Sequence, residues 1–533
     1  MPPLAPGKTT EGESTGVLRS AGVVSAGTLA SRALGLARDA TIAHALGAGA
    51  AADAFVVAFR IPNLLREMLG EGALTAAFLP GYARLRAAGR PEDARRLLST
   101  VATLLVSVLG LLTAAAVALF LWIPPEAVAP GDPEKAALVL ELAALCFPYA
   151  ILVCAAAVLA AALQAERRFG IPAFAPAAMN VAWIGATVLL QPLFADSVEG
   201  RARAVAAAVL VGGVVQAAVM LPALRRLDLL PRPALHLRDP ELRSVLRNLL
   251  PAILGLAPLQ MNLLVNTLLA EALVPGDGAN SALYYASRLV QLPISLVGVS
   301  LAVAAFPTFA RLSAEGRRSD LGLAAARAIR TCLLLGLPAA AGLAVLALPV
   351  AEALFLHGRF DREAAAAAAG ALQCVLVGLP AFCALPVVSR LFHSMGDPRT
   401  PVRVGAWCVA FNFAGNLALV GPMQERGLAL CTALTAWVNL AALLWIARRR
   451  HRIRGLRSLG PCALRSAAAA AAAAAGALGG GAALHALSGG GPPALAVAAL
   501  GVLAGAAAFS GASAALRDPD ARDLLRAAAG RRG

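Results

Sequence analysis

The sequence predicts an all-α polytopic membrane protein with fourteen transmembrane helices, arranged as two six-helix lobes that are parallel repeats, plus two extra C-terminal helices. Three observations predict this: an apolar composition, the number of long apolar stretches, and a similarity between the two halves of the chain. Of 533 residues, 59% are hydrophobic and only 14% are charged, against roughly 25% charged in soluble proteins. Such a chain has too little polar surface to cover itself in water, which excludes a soluble enzyme and a disordered chain.

Fourteen apolar stretches are long enough to cross a bilayer, whose core of about 30 Å requires roughly 20 helical residues. They lie at residues 21–45, 52–80, 97–123, 136–163, 173–194, 204–224, 250–274, 281–310, 321–348, 364–394, 402–420, 428–447, 463–486 and 492–516. We number them stretches 1 to 14 in chain order. Stretch 1 is too charged for a cleaved signal peptide and lacks a small-residue cleavage site. Residues 1–20 and 517–533 are predicted to be tails.

Arginine is concentrated in alternate loops. Three arginine-rich loops follow stretches 2, 6 and 12, and they carry Arg84, Arg86, Arg90, Arg95 and Arg96, then Arg225, Arg226, Arg232, Arg238, Arg243 and Arg247, then Arg448, Arg449, Arg450, Arg452, Arg454 and Arg457. Because basic loops stay on the cytoplasmic side of a membrane, this alternation predicts that both termini are cytoplasmic. It also accounts for most of the net charge of +16, so no nucleic-acid partner is expected.

A weak internal repeat relates the two halves of the chain. Residues 76–85 read AAFLPGYARL and residues 304–312 read AAFPTFARL, which align with one gap. Before that gap the offset is 228 residues, and at this offset Arg60 aligns with Arg288. Since six crossings return the chain to its starting side, the two copies should point the same way, as parallel transporter repeats do.

The repeat predicts the domain organisation. An N-terminal lobe of residues 21–236 and a C-terminal lobe of residues 237–459 would contain six helices each, and residues 460–516 would add two helices outside the repeat. Two similar lobes are typical of alternating-access transporters, whose substrate site lies at the lobe interface near the middle of the membrane. The alternative is chance similarity between alanine-rich helices, and the shared proline and arginine positions argue against it.

Stretches 1 and 2 carry an unusual number of charges for membrane helices. Their arginines and carboxylates are Arg32, Arg38, Arg60, Arg66, Asp39, Asp53, Glu67 and Glu71. A charge at the bilayer centre costs at least about 2.5–3.5 kcal/mol by insertion scales, so these side chains must face a wet cavity or pair with one another. Pro62, Gly70 and Gly72 predict that stretch 2 is an irregular helix, which is typical of the wall of a transport site.

Two interpretations of these charges stay open. The arginines are matched in number by carboxylates, so all of them could be ion-paired struts. Against this, Arg288 in stretch 8 has no acidic residue within its own stretch. A cluster of arginines suits an anionic, phosphate-bearing substrate, because guanidinium is always charged and its N–H groups match phosphate oxygens.

Six segments are distinctive as sequence motifs. They are SRALGLARD (31–39), ADAFVVAFRIPNLLREMLGEGALTAAFLP (52–80), FGIPAFAP (169–176), PAILG (251–255), YYASRLVQLP (284–293) and GDPRTP (396–401). In them the chain resembles the MurJ (MviN) family of lipid II flippases, within the multidrug/oligosaccharidyl-lipid/polysaccharide exporter superfamily. The resemblance implies a multi-pass protein of the bacterial cytoplasmic membrane, not an enzyme. It implies that lipid II, the undecaprenyl-pyrophosphate-linked peptidoglycan precursor, moves from the inner to the outer leaflet.

The resemblance and the charge pattern together give two sets of candidate site residues. The expected ligands of the pyrophosphate are Arg32, Arg38, Arg60, Arg66 and Arg288. The expected gating or arginine-orienting residues are Asp39, Asp53 and Glu71. The chain departs from the family at two positions: Glu67 stands where the family often has arginine, and Ser287 stands where it often has aspartate.

The energy source is a further expectation. No cofactor is expected; the membrane potential is the expected driving force, and a monovalent ion is a second candidate. Some relatives carry a sodium site in the second lobe, and the candidate ligands here are Asn412, Asn416 and Thr432, whose alternative role is helix packing. Stretches 13 and 14 would hold the lipid tail, as in the family.

The expected partners are lipid II, membrane lipids and cell-wall synthesis proteins. Two alternative functions stay open: an exporter of another lipid-linked oligosaccharide, and a non-transporting scaffold for cell-wall assembly. A drug exporter would place acidic residues in its cavity, and a membrane enzyme would need acidic clusters for a metal ion. The arginine-rich sequence disfavours both of these classes.

Overall fold

The computed structural model describes residues 11–194, 197–453, 455, 459–488 and 493–516. Its first ten helices are α1 (Glu11–Leu46), α2 (Ala50–Leu65), α3 (Leu74–Ala87), α4 (Pro91–Trp122), α5 (Pro125–Val128), α6 (Pro133–Cys146), α7 (Tyr149–Ala165), α8 (Gly170–Leu190), α9 (Val198–Ala218) and α10 (Leu221–Arg226). The other ten are α11 (Pro240–Leu273), α12 (Ala279–Pro293), α13 (Ser300–Ala314), α14 (Arg318–Val345), α15 (Ala347–Phe355), α16 (Arg362–Leu376), α17 (Leu379–Ser394), α18 (Arg399–Arg449), α19 (Leu459–Ser488) and α20 (Ala494–Ala515). A short 3₁₀ turn, Gln191–Phe194, extends α8.

The N-terminal end of the described chain differs from the predicted tail. Residues 1–10 and 517–533 lie outside the described residues, but residues 11–20, predicted as part of a polar tail, form the first turns of α1.

Among the described residues, ten helical segments are long and apolar enough to cross a membrane, or eleven if α16 and α17, bent by 48°, form one span. The segments at 11–46 and 50–87, which carry the charges of stretches 1 and 2, are not among these ten. One of the ten is α18, 51 residues long, which is broken at Gln424 by a left-handed φ of 52°. The prediction of an all-helical, multi-pass membrane protein is confirmed for the part of the chain that the structure describes.

Two segments are π-helical, with a wider turn than an α-helix. The first, Arg66–Ala73, joins α2 to α3, and the second, Ile294–Val299, joins α12 to α13. The irregular helix predicted from Pro62, Gly70 and Gly72 is therefore confirmed. The second π segment begins 228 residues after the first, the offset that aligns Arg60 with Arg288.

The chain divides into two compact units. Unit 1 contains residues 1–45 and 57–256, and unit 2 contains residues 46–56 and 257–533. The units differ from the predicted lobes, since unit 2 also takes residues 46–56, and unit 1 extends to residue 256, within the continuous helix α11.

The core of unit 1 is formed by α3, α4 and α7. Phe78 and Tyr82 of α3, Leu97 and Leu98 of α4 and Leu163 of α7 are fully buried in it. These side chains recur at helical spacing, so each helix turns one apolar face to the others. In the same unit, α8 packs along α9 and α6 packs against α4 and α9.

The core of unit 2 includes α12, α14, α15, α16 and α17. Tyr285 of α12 packs against Phe355 of α15 and against Phe360, with ring centroids 4.9 and 5.2 Å apart. The second π segment, Ile294–Val299, lies close to α17. A Cβ atom added at Gly298 would lie 2.7 Å from the backbone oxygen of Cys383. Glycine is therefore required at this contact.

The last two helices, α19 and α20, pack backbone to backbone. Added Cβ atoms on Gly476 and Gly480 of α19 would lie 2.7 and 3.1 Å from backbone oxygens of α20, at Ala504 and Leu500. Gly505 of α20 would meet a backbone oxygen of α19 at 3.0 Å. Small residues four apart are the usual basis of such close helix packing in membranes.

Candidate functional site

Arg38 of α1 donates a hydrogen bond from each of its three guanidinium nitrogens. Its Nε and Nη2 donate to Oδ1 of Asp39 at 3.0 and 2.7 Å, and its Nη1 donates to Oδ1 of Asn180 at 3.0 Å. Its guanidinium carbon lies 4.5 Å from the ring centroid of Trp183. Asn180 and Trp183 are both on α8, so one face of that helix meets the charged turn of α1.

Burial makes these contacts necessary. The side chains of Arg38 and Asp39 are only 12% and 2% exposed, and a buried charge is tolerated only when it is paired and hydrogen-bonded. The amide Nδ2 of Asn180 also donates to the backbone oxygen of Ser31 at 3.0 Å. Because Ser31 and Arg38 are two helical turns apart, both lie on the face of α1 that meets α8.

Arg66 lies at the start of the first π segment. Its Nε donates to Oδ1 of Asn63 at 2.9 Å, and its Nη2 lies 3.4 Å from Oε1 of Glu67. The Nδ2 of Asn63 donates to the same Glu67 oxygen at 2.8 Å. About a fifth of the Arg66 side chain and a quarter of the Glu67 side chain remain exposed. Glu67, the first departure from the family pattern, therefore partly neutralises the charge of Arg66. Both residues lie in a π segment, and such segments are frequent at functional sites.

Asp53, expected to orient arginines, is placed at the start of α12. Its Oδ2 accepts the backbone N–H of Gly278 at 2.7 Å, and its Oδ1 accepts the N–H and the hydroxyl of Ser281 at 2.8 and 2.6 Å. The residue preceding α12, Gly278, has a φ of 99° and no side chain with which to cap the helix. A carboxylate from elsewhere in unit 2 therefore satisfies its free N–H groups.

Arg288 lies two turns along α12 from Ser281. Its guanidinium carbon is 4.5 Å from the ring centroid of Tyr284, and its Nη1 donates to Oε1 of Gln291 at 3.3 Å. Ser287, the second departure from the family pattern, donates its hydroxyl to the backbone oxygen of Tyr284 at 2.7 Å. Arg288 thus depends for its placement on the helix that Asp53 caps.

Three further candidates are Arg32, Arg60 and Glu71. Arg32 of α1 and Arg60 of α2 are half-buried and belong to unit 1, like Arg38 and Arg66, whereas Arg288 belongs to unit 2. The side chain of Glu71 lies outside the described residues.

The sodium candidates belong to an amide network of α11 and α18. The Nδ2 of Asn416 donates to Oδ1 of Asn266 at 2.7 Å and to Oδ1 of Asn412 at 2.9 Å. Asn266 in turn donates to Oγ1 of Thr432 at 2.8 Å, and Asn412 donates to Oγ1 of Thr435 at 3.2 Å.

The hydrogen bonds of this network favour helix packing, although the buried Oδ1 of Asn416 has no hydrogen-bond partner among the described residues. An amide nitrogen already occupies the position between the two amide oxygens, and a hard cation requires several oxygen ligands. Within the described part of the chain, no cluster of His, Cys, Asp or Glu could hold a metal ion.

Sequence reasoning missed four residues of these sites: Asn63, Asn180, Trp183 and Ser281. Asn180 had a readable signal, because it is an amide in the middle of an apolar stretch, and polar residues within the membrane are costly and usually functional. Trp183 had none, since an aromatic residue at helical spacing is most simply a core residue.

Comparisons with known proteins point to one family. A family model described as lipid II flippase MurJ matches residues 42–487. The lipid II flippase MurJ of Burkholderia cenocepacia is 32% identical over 449 residues, which cover 83% of this chain and 85% of the relative. The probable lipid II flippase MurJ of Haemophilus influenzae is 33% identical over 433 residues, or 77% of this chain and 82% of the relative.

Solved structures share the fold. A lipid II flippase MurJ in an inward closed conformation superposes with a TM-score of 0.71 and 20% identity, covering 94% of this chain and 99% of that one. An inward-facing multidrug transporter of the MATE family gives a TM-score of 0.66 and 18% identity, with coverage of 80% and 96%.

Proposed function

The chain belongs to the lipid II flippase MurJ family, and on this premise we propose that it moves lipid II from the inner to the outer leaflet of the bacterial cytoplasmic membrane. The observation that carries the proposal is the family match over residues 42–487. Its relatives are named as flippases, so the chain acts as a transporter rather than an enzyme.

The proposal extends to fourteen spans in two parallel six-helix repeats plus α19 and α20. Ten of the described segments are long and apolar enough to span a membrane. The division of α18 at Gln424 adds one span, the bent pair α16–α17 adds another, and the charged segments 11–46 and 50–87 add two, which gives fourteen. The two π segments, 228 residues apart, support the repeat. The alternation of arginine-rich loops supports cytoplasmic termini. The close pair α19–α20 is the proposed contact for the lipid tail.

The arginines are the proposed ligands of the pyrophosphate. Arg32, Arg38, Arg60 and Arg66 are in unit 1, in the charged segments 11–46 and 50–87 that the proposal counts among the fourteen spans. Their guanidinium groups stay charged in any environment and can donate two parallel hydrogen bonds to phosphate oxygens. Arg288 of unit 2 is included because of the family resemblance, and Asp39 and Asp53 act by holding an arginine or its helix.

The membrane potential is the proposed driving force. The substrate carries negative charge, and a potential that is negative inside favours its outward movement by about 2.3 kcal/mol per unit charge per 100 mV. In alternating access the site opens to one side of the membrane at a time. No cofactor is required in this scheme. The hydrogen bonds within the amide network support packing rather than sodium binding for Asn412, Asn416 and Thr432.

Reconstitution tests the proposal. The full chain in liposomes, supplied with labelled lipid II, should expose the label to an external reagent faster than empty liposomes do, and faster still with an imposed negative-inside potential. Arg38→Ala should remove most of this activity, whereas Arg226→Ala, which removes an exposed arginine at the end of α10, should not. Wild-type protein that translocates another lipid-linked oligosaccharide but not lipid II would overturn the proposal.

A further inference from the structure

Arg38 has a definite number of hydrogen-bond donors to offer a substrate. A guanidinium carries five N–H groups, and within the described part of the chain Asp39 and Asn180 accept three of them. One N–H remains on each of the two terminal nitrogens, Nη1 and Nη2. Two donors of this kind suit a pyrophosphate oxygen pair, provided that the guanidinium cannot rotate.

Asn180 fixes one end of the guanidinium. Its amide cannot turn over without losing a bond, because Nδ2 donates to the backbone oxygen of Ser31 while Oδ1 accepts from Arg38. Its side chain is almost fully buried, so no water competes for either bond. The amide oxygen of Asn180 is therefore held toward Nη1 of Arg38 whether or not a substrate is present.

Trp183 fixes the plane of the same group. It lies one turn after Asn180 on α8, is 1% exposed, and stacks its ring under the guanidinium at 4.5 Å. Its indole N–H has no hydrogen-bond acceptor among the residues described, which is unfavourable for a buried donor. Trp183 therefore interacts with Arg38 through the face of its ring, and tryptophan is the strongest aromatic partner for a cation.

We infer that Asn180 and Trp183 are positioning residues, which hold Arg38 so that its two remaining N–H groups meet the pyrophosphate of the lipid substrate. The inference rests on the proposed function. Asp39 neutralises the charge of Arg38, whereas Asn180 and Trp183 fix the orientation of its guanidinium group. Ordering a long arginine side chain costs conformational entropy; here folding meets that cost before the substrate arrives, which strengthens binding.

A kinetic test separates positioning from mere packing of α8 against α1. In proteoliposomes, Asn180→Ala should raise the lipid II concentration for half-maximal translocation roughly tenfold, as expected for one charge-assisted hydrogen bond, and leave the maximal rate within about twofold. Trp183→Leu should act in the same direction. The matched control is Thr187→Val, which removes a buried hydroxyl from the next turn of α8 and should leave both parameters unchanged.

A spectroscopic test reports on Arg38 directly. Replacing Trp122, Trp407, Trp437 and Trp445 by phenylalanine leaves Trp183 as the single tryptophan. In nanodiscs, undecaprenyl pyrophosphate should change its emission in a saturable way, undecaprenyl alcohol should not, and Arg38→Met should abolish the response.

The outcomes are distinguishable. If the wild-type protein does not translocate lipid II, the proposed function fails. If it does, and Asn180→Ala and Trp183→Leu alter only protein yield, or Trp183 emission does not respond to undecaprenyl pyrophosphate, the positioning role is wrong while the function stands.

Discussion

The carboxylate of Asp53 accepts both the backbone N–H and the hydroxyl of Ser281, at 2.8 and 2.6 Å. Ser281 lies in the first turn of α12, the helix that carries Arg288 seven residues later. A charge that the sequence places in a set of arginine partners is thereby shown to cap a helix. Asp53 therefore affects Arg288 indirectly, by holding the start of the helix that carries it.

The first prediction concerns this cap. Asp53→Ala should lower the free energy of unfolding by about 2 kcal/mol, because it leaves buried backbone N–H groups without an acceptor. Ser281→Ala should cost less, since the bond from its N–H to Asp53 remains. Unfolding in detergent, followed by circular dichroism, measures both. An Asp53→Ala protein as stable as wild type, with Ser300→Ala as the surface control, would contradict the assignment.

The second prediction concerns the Arg38–Asp39 pair. Asp39→Ala leaves a buried guanidinium without its carboxylate and should cost about 3–5 kcal/mol, whereas replacing both residues with apolar ones should cost less than that single change. A double-mutant cycle with Arg38→Met and Asp39→Leu measures the coupling. Additive effects would show that the two side chains do not depend on each other.

The third prediction concerns Glu67. Glu67→Gln keeps the oxygen that accepts from Asn63 but removes the charge beside Arg66, so lipid II should bind more tightly. Because both side chains are partly exposed, the gain is modest, about two- to threefold in the half-saturating concentration. Translocation kinetics test this, with Glu315→Gln, in an exposed pair with Arg317, as the control. Weaker binding of lipid II would argue that Glu67 assists the substrate.

The fourth prediction concerns the amide network. The thermal midpoint of the wild-type protein should be equal in sodium and potassium chloride, since the amide nitrogen of Asn416 already bridges Asn266 and Asn412. Asn416→Asp should lose about 3 kcal/mol through an unpaired buried charge, and sodium should restore part of it. Asn439→Asp, elsewhere on α18, is the control. Specific stabilisation of the wild-type protein by sodium would contradict the packing role.

The fifth prediction concerns pH. Asp397 precedes α18 and accepts from Oγ1 of Thr400 at 2.7 Å and pairs with Nε2 of His451 at 3.0 Å. Partial burial alone would raise the pKa of Asp397, but the hydrogen bonds of Thr400 and His451 outweigh it and the pKa lies below its ordinary value of 3.8.

The lowered pKa of Asp397 determines how stability depends on pH. A carboxylate whose pKa is lower in the folded state stabilises the fold above its ordinary pKa and loses this contribution as the pH falls through the folded value. Asp397→Asn should therefore lower the thermal midpoint at neutral pH and flatten its decline below about pH 4. A parallel decline of wild type and variant would rule out this contribution.

The sequence predicted the helical class, the irregular segment after Pro62 and the charged turn of α1. Composition and helix-breaking residues decide these locally, so no tertiary information was needed. The break at Gln424 was not predictable in detail, because a left-handed glutamine depends on the helices that meet there. The sequence also left the partners of Asp53 open, since the groups that donate hydrogen bonds to it, on Gly278 and Ser281, lie 225 and 228 residues away at the start of α12.

The site was predictable in its charges and not in its geometry. Arg38 and Asp39 are adjacent in sequence, so their pairing could be anticipated. Asn180 lies 142 residues from Arg38, and only the packing of α8 on α1 brings them together. Conversely, the sequence did not indicate that Asn416 donates to Asn266 of α11 as well as to Asn412, because Asn266 lies 150 residues away from it in the chain.

The glycine contacts between α19 and α20 have a consequence for how the protein is made. Their interface depends on backbone approach, with glycine at 476, 480 and 505 facing the neighbouring main chain. Two such consecutive helices can associate as a hairpin as soon as both have left the ribosome, without waiting for the rest of the chain to assemble. We therefore expect α19 and α20 to enter the membrane as a preassembled pair, and any larger side chain at those glycines to disturb that step.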